Sequence, residues 1–183
     1  MDDFHPLSAK ISAAFQRLHQ AQSSEPSSQS RSDQPNMKAI RAKTRRRGTA
    51  LVDTDQGILL VSEDGSRFSL PGGAATRNEL WIEAAIRELR EETGLRADSA
   101  QYLFSHMGEV RKRGSSYSRN HHKVFLVKAE GLPKPKQEIR ALHFYQPGDP
   151  VKLTNSTQAI LEKYYLLQSD RAQSGDGTGN SQK

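Results

Sequence analysis

Three carboxylates packed into five residues constrain this chain more than any other feature. In the stretch RELREETGL, Arg87 to Leu95, the residues Glu88, Glu91 and Glu92 follow a single arginine. On a helix Glu88 meets Glu91 and Glu92 at i, i+3 and i+4, and each like-charged pair there costs a few tenths of a kcal/mol. Either solvent screens this repulsion along an exposed face, or the charges gather around a cation.

The surrounding apolar period supports a helix from about Asn78 to Thr93, stopped by Gly94. At about 100° per residue, Ile82, Ala85, Ile86 and Leu89 form its buried stripe. Glu88 and Glu92 lie beside that stripe and Glu91 one step further round. They therefore sit at the edge of the core, where desolvation worsens any unrelieved repulsion. Arg87 is four residues from both Glu83 and Glu91 and can pair with either. Upstream, Pro71-Gly72-Gly73 allows a close backbone approach, and a carbonyl there can join carboxylates around a hard cation. The chain has no cysteine, so the donors are oxygens, which suit Mg²⁺ or Mn²⁺.

The rest of the chain divides by what it can bury. Residues 20–36 and 168–183 hold almost nothing apolar and are expected to be disordered. An amphipathic helix is expected over about 7–18, where Leu7, Ile11, Ala14, Phe15 and Leu18 share a stripe. This makes 1–36 an N-terminal extension, 37–167 the folded domain and 168–183 a tail. Within the domain, GTALVD and GILLVSE read as strands, EDGS (63–66) reads as a turn before RFSLPGG, and further strands are expected near 100–110, 123–129 and 138–145. A last helix, about 156–167, follows the capping candidates Thr154, Asn155 and Ser156. Irregular alternation of strands and helices implies an α/β fold, layered α/β/α around a mixed sheet. The absence of cysteine excludes disulfide and thiolate-zinc scaffolds. No run is long enough to span a membrane, and the acidic N-terminus does not read as a signal peptide. A soluble, cytoplasmic protein without membrane contact is expected.

From Gly73 the chain reads G-x5-E-x7-R-E-L-x-E-E-x-G-L, through Gly73, Glu79, Arg87, Glu88, Leu89, Glu91, Glu92, Gly94 and Leu95. This pattern resembles the box of the Nudix hydrolase family at every specified position, and the resemblance covers about 48–167. It implies a Nudix-type α/β/α sandwich with a loop–helix–loop motif. It also implies Mg²⁺-dependent (or Mn²⁺-dependent) cleavage of a pyrophosphate bond in a nucleoside diphosphate linked to another group, by attack of a metal-activated water on phosphorus. Carried onto this chain, Glu88, Glu91 and Glu92 would be metal ligands, assisted by the carbonyl of Gly72. Arg87 would orient a ligand glutamate, and Gly73, Glu79 and Gly94 would shape the box. Glu92 is the first choice for the general base, with Glu91 or a later residue, Glu138, as alternatives. Several substrate signatures of the family are missing. The stretch VRKRG stands where some members carry a proline or tyrosine, and Asn78 replaces a glycine common before the first Glu.

The net charge of +6 is unevenly spread. Residues 37–47 and 111–123 are basic and free of acids. The second run, read as a loop between strands, offers Arg111, Lys112, Arg113, Arg119 and Lys123 to substrate phosphates. His121 and His122 are adjacent on a strand, so at most one of them faces a site. Trp81 is expected to pack rather than stack on a base. The substrate is expected to be a nucleotide or polyphosphorylated small molecule, with RNA contact through the basic segments and a homodimer both compatible. The rival reading is a non-catalytic Nudix-fold module that binds nucleic acid or regulates a partner.

Overall fold

The computed structural model describes residues 42–174; the helix expected over 7–18, the linker 20–36 and residues 175–183 lie outside them. β1 (Lys43–Leu51), β5 (Gly72–Ala74), β6 (Arg96–Met107), β7 (Arg111–Arg113) and β8 (Ser116–Glu130) form one sheet. Its order is β5-β1-β8-β6, with β7 folded back on β8. β1 and β8 run parallel while the other pairs are antiparallel, so the sheet is mixed. β2 (Asp53–Thr54), β3 (Gly57–Ser62) and β9 (Ala141–Tyr145) make a second, antiparallel sheet. The short strands β4 (Arg67–Phe68) and β10 (Lys152–Leu153) pair in parallel.

Side chains alternate across β1 and sort the core into two layers. Ala50 and Val52 pack with Ala85, Leu89, Phe125 and Val127 beneath helix α1 (Trp81–Thr93). Leu51 packs with Leu60, Phe104, Val124, Ile160 and Tyr164 beneath helix α2 (Asn155–Ser174). Each fully buried Leu or Ile contributes about 1.5–3 kcal/mol. The architecture is the expected helix–sheet–helix sandwich.

The position of α1 follows from a glycine. A Cβ at Gly48 would lie 2.1 Å from the Trp81 carbonyl oxygen and 2.5 Å from the Ala85 nitrogen, so the helix backbone rests directly on β1. Only small side chains fit at that level, which is why Ala84 and Ala85 are wholly buried while Ile82 and Ile86 are half-buried. Of the expected stripe, Ala85 and Leu89 are wholly buried and Ile82 packs against the same core, while Ala84 is buried beyond what the period indicated. Gly94 caps the helix in the left-handed region (φ 77°), its N–H donating to Arg90 O at 2.9 Å. At the other end Glu83 accepts the Leu80 N–H at 2.8 Å and is spent on the cap, not on Arg87.

Three expectations need correction. The basic segment 111–123 is not a loop: Arg111–Arg113 pairs with Ser116–Ser118, and only its tip, around Gly114 (φ 57°), turns. Glu138 does not head a strand, because β9 begins at Ala141 and Glu138 stands exposed in the preceding turn, after Gln137 with φ 51°. The last helix runs to Ser174, so the first residues assigned to the tail are helical. Its extra turns are tied down by Gln168 Nε2 donating to Tyr164 Oη at 2.6 Å and Ser169 Oγ donating to Tyr165 O at 3.0 Å.

Candidate active site

One arginine organises the box. Arg87 donates from Nε to Glu79 Oε1 at 2.7 Å and from Nη1 to Glu88 Oε1 at 2.8 Å and Glu91 Oε2 at 3.1 Å. Its Nη2 reaches Glu79 Oε2 at 3.2 Å and the Ala74 carbonyl at 3.3 Å. Glu79 lies before the helix, so the guanidinium pins the loop that follows β5 to the flank of α1. The Arg87 hydrogen bonds, joined by the Thr76 N–H, hold the Glu79 carboxyl down at about 2. Glu79 is therefore part of the frame that aims two helix carboxylates.

Glu92 is treated differently. It is buried, at 7% exposure, and its Oε2 accepts the Gly72 N–H at 3.1 Å. Burial is the largest influence on it, and with the charges of Glu88 and Glu138 it pushes the carboxyl up to about 8 against the opposing Gly72 N–H and Arg47. The glycines of β5 make this arrangement fit. A Cβ on Gly73 would lie 1.8 Å from Glu88 Oε1, and one on Gly72 would lie 2.4 Å from Gly48 O. The Gly72 carbonyl, the backbone oxygen expected to assist a metal, accepts a hydrogen bond from Arg47 Nη2.

Whether these residues suit a divalent cation can be judged from the donors. All are hard oxygens, and a buried carboxylate faces two further negative charges, an imbalance that a cation relieves. Among the described residues no three acidic or histidine side chains converge as a preassembled metal cluster. Arg87 explains this, because it holds Glu88 and Glu91 and supplies positive charge among them. The donor set fits a hard divalent cation.

Towards the start of α2 lies a cavity of about 290 Å³, into whose wall Arg45, Arg47, Thr49, Arg111, Arg119 and His122 contribute, and Arg47 links it to the box through the Gly72 carbonyl. Thr49 Oγ1 meets His122 Nδ1 at 3.0 Å. Burial, reinforced by Arg47, His106 and His121, pushes the His122 imidazole down to about 3. Arg119 Nε and His122 Nε2 are buried with no hydrogen-bond partner among the described residues.

Of the five basic residues expected to meet phosphates, the structure brings Arg111 and Arg119 to this cavity. Lys112 is exposed elsewhere on β7, and Arg113 pairs through its backbone with Ser116. Lys123 lies on the opposite face of the sheet, 5.1 Å from the Trp81 ring centroid, where Arg46 also stacks at 5.2 Å and His121 meets the ring edge-on. Trp81 is packed against the α1-side core. His121 and His122 point to opposite faces, as strand alternation requires. Sequence reasoning missed Arg45, Arg47 and Thr49 as site residues. Their alternate spacing was the available signal, had the first strand been extended back into the basic run.

The NUDIX domain family model matches residues 43–166 of this chain. The CTP pyrophosphohydrolase of Escherichia coli (strain K12) is 35% identical over 69 residues, which are 35% of this chain; the match spans about half, 51%, of that curated relative's length. A nudix hydrolase family member from Chromobacterium violaceum superposes with a TM-score of 0.59 at 36% identity, covering 74% of this chain and 92% of that one. The MutT NUDIX hydrolase from Burkholderia pseudomallei superposes with a TM-score of 0.55 at 26% identity, covering 66% of this chain and 97% of that one.

Proposed function

The chain belongs to the NUDIX family, and from that premise we propose that it is a pyrophosphohydrolase. Its substrate is a nucleoside diphosphate linked to a second group, or a similar polyphosphorylated compound, and its cofactor is Mg²⁺, with Mn²⁺ as substitute. The observation that carries this reading is the carboxylate set of α1: Glu88 and Glu91 braced by Arg87, and Glu92 buried against the Gly72 N–H. A merely solvated charged face would leave all three exposed.

In this reading Glu88, Glu91 and Glu92 hold the cation, with Gly72 O as a further donor. When bound, such an ion neutralises charge on the phosphates and lowers the pKa of water. The side chains do the rest. Arg87 keeps Glu88 and Glu91 on one flank. Glu92 takes the proton of the attacking water as its oxygen bonds to phosphorus and the bridging P–O bond breaks. Glu138 is the alternative acceptor, since its charge is felt at Glu92. The products are two phosphate-bearing fragments and one proton. Arg47, between Gly72 and the basic cavity, is placed to meet a phosphate oxygen.

The test is phosphate and nucleotide release from a panel of nucleoside triphosphates, dinucleoside polyphosphates and nucleotide sugars, with and without Mg²⁺ or Mn²⁺. The similarity to a CTP pyrophosphohydrolase puts CTP first. Metal-dependent turnover that drops about 10²–10⁴-fold in Glu92→Gln supports the reading. Turnover indifferent to metal and to that substitution would overturn it.

A further inference from the structure

The cavity that Arg47 links to the box has a chemistry that cleavage of a pyrophosphate alone does not call for. Its wall holds Arg45, Arg47, Arg111 and Arg119 against two acids, Glu63 and Glu109. Glu109 is itself engaged, accepting from the Asn155 amide at 3.2 Å through both oxygens. Ser156 and Thr157, at the start of α2, complete one side, and the first turn of that helix carries no acid. A helix N-terminus of this kind adds partial positive charge.

Two buried nitrogens without a hydrogen-bond partner among the described residues, Arg119 Nε and His122 Nε2, belong to side chains of this same wall. Buried polar atoms are ordinarily satisfied, and an orphan in a basic cluster marks where a ligand's acceptors belong. In the tautomer in which the Thr49 hydroxyl donates to Nδ1, His122 carries its proton on Nε2 and can offer it to a phosphate oxygen. Burial keeps this ring neutral, so it acts as a hydrogen-bond donor rather than a counter-charge. No Phe, Tyr or Trp lines the cavity. The aromatic rings near β8, Trp81 and Tyr102, are taken up with Lys123 on the opposite face. A nucleobase would find no aromatic ring to stack on, whereas a phosphate finds the forked donors of four arginines in the wall.

We infer that this cavity seats a second phosphate of the substrate, a phosphomonoester carried apart from the pyrophosphate that is cleaved, and not a nucleobase. The inference rests on the pyrophosphohydrolase reading of the α1 carboxylates. Arg47 joins the two sites, lining the cavity while reaching the Gly72 carbonyl beside Glu92. The preferred substrate class is therefore a pyrophosphate whose linked group bears its own phosphate.

Calorimetric titration of the full chain in Mg²⁺ with adenosine, AMP and adenosine 3′,5′-bisphosphate tests this, because none of the three holds a bond the enzyme would cleave. The bisphosphate should bind at least about tenfold more tightly than AMP, the worth of one charge-assisted hydrogen bond. Adenosine should bind least, and the preference should weaken as salt rises. Arg119→Gln with His122→Gln should shrink the bisphosphate preference below about twofold, while Arg119→Lys retains part of it. Equal binding of all three compounds, or a preference unchanged in the double variant, would overturn the inference. Should the double variant not fold, the ranking on the unaltered protein decides alone. Binding needs no turnover, so a chain that ranks the ligands as stated yet hydrolyses nothing contradicts only the catalytic reading. A chain that hydrolyses but ranks them equally contradicts only this one.

Discussion

Glu88, Glu91 and Glu92 have the same chemistry and three different environments, and the differences are set by single neighbours. Arg87 takes two of them, Gly72 takes the third, and Glu79 fixes Arg87 in turn. Gly73 is the residue on which Glu88 depends most. In Gly73→Ala the new Cβ meets the Glu88 carboxylate, the end of a flexible side chain, so Glu88 moves and the fold stays. Stability should change by no more than about 1 kcal/mol while turnover falls at least about tenfold; a variant with unchanged turnover would show that the Glu88 position does not matter. Glu79→Gln keeps shape but removes the charge facing Arg87. It should raise the Mg²⁺ concentration for half-maximal activity, with little change in thermal midpoint. His122 supplies a pH effect. Its folded pKa of about 3 lies well below the ordinary 6.5, so above about 6.5 it is neutral in both states. As pH falls from 6.5 toward 3, the unfolded chain takes up a proton that the folded one refuses, and stability declines. Urea midpoints at pH 7 and pH 5 should therefore differ less in His122→Gln than in the parent; equal differences would remove His122 from the account.

At the level of elements, the close seat of α1 on β1 governs the site. Gly48→Ala would press a Cβ into the backbone of α1, at Trp81 and Ala85, where nothing flexible can give. It should cost about 1–3 kcal/mol or more in a urea unfolding experiment and displace the glutamates with the helix. A fully stable, fully active variant would contradict this packing. The box helix was legible in sequence because the apolar period and the Gly94 stop agreed over one segment. Ala85 and Leu89 of its contact face were read from the period but Ala84 was not, since a period reports where apolar side chains recur and not how closely two backbones approach. The hairpin of β7 and β8 was hidden by its charge. Arg and Lys are rare in strands that bury both faces, but here they flank a cavity on one side and a Trp81 cluster on the other. Likewise Arg45 and Arg47 looked like a basic run until parallel pairing with Asn120 and His122 in β8 gave them a common face. Parallel pairing joins residues far apart in sequence, and no local pattern announces it. α2 runs beyond the expected end at 167, with Gln168 and Ser169 each bonded one turn back to Tyr164 and Tyr165, contacts that composition does not register.

Across the whole molecule the fold places two chemistries side by side. The α1 side carries the carboxylates, and the cavity at the start of α2 carries the arginines, with β1 between them delivering Arg47 to both. Family membership was readable from one motif of Nudix type, and the match over 43–166 agrees with it. The second group on the substrate was not readable, because the cavity proposed to receive part of it is assembled by residues from β1, β7, β8 and α2 that only the fold brings together. No described helix is long and apolar enough to cross a membrane. The central claim is that water attacks phosphorus under the control of the α1 carboxylates and a divalent cation. Turnover of whichever compound of the nucleotide panel is hydrolysed fastest, run in ¹⁸O-labelled water and followed by mass spectrometry of the products with and without Mg²⁺, tests it most directly. The account predicts one ¹⁸O atom in a phosphate-bearing product, only with metal, and its loss in Glu92→Gln. Label incorporated without metal, or undiminished in that variant, would contradict it.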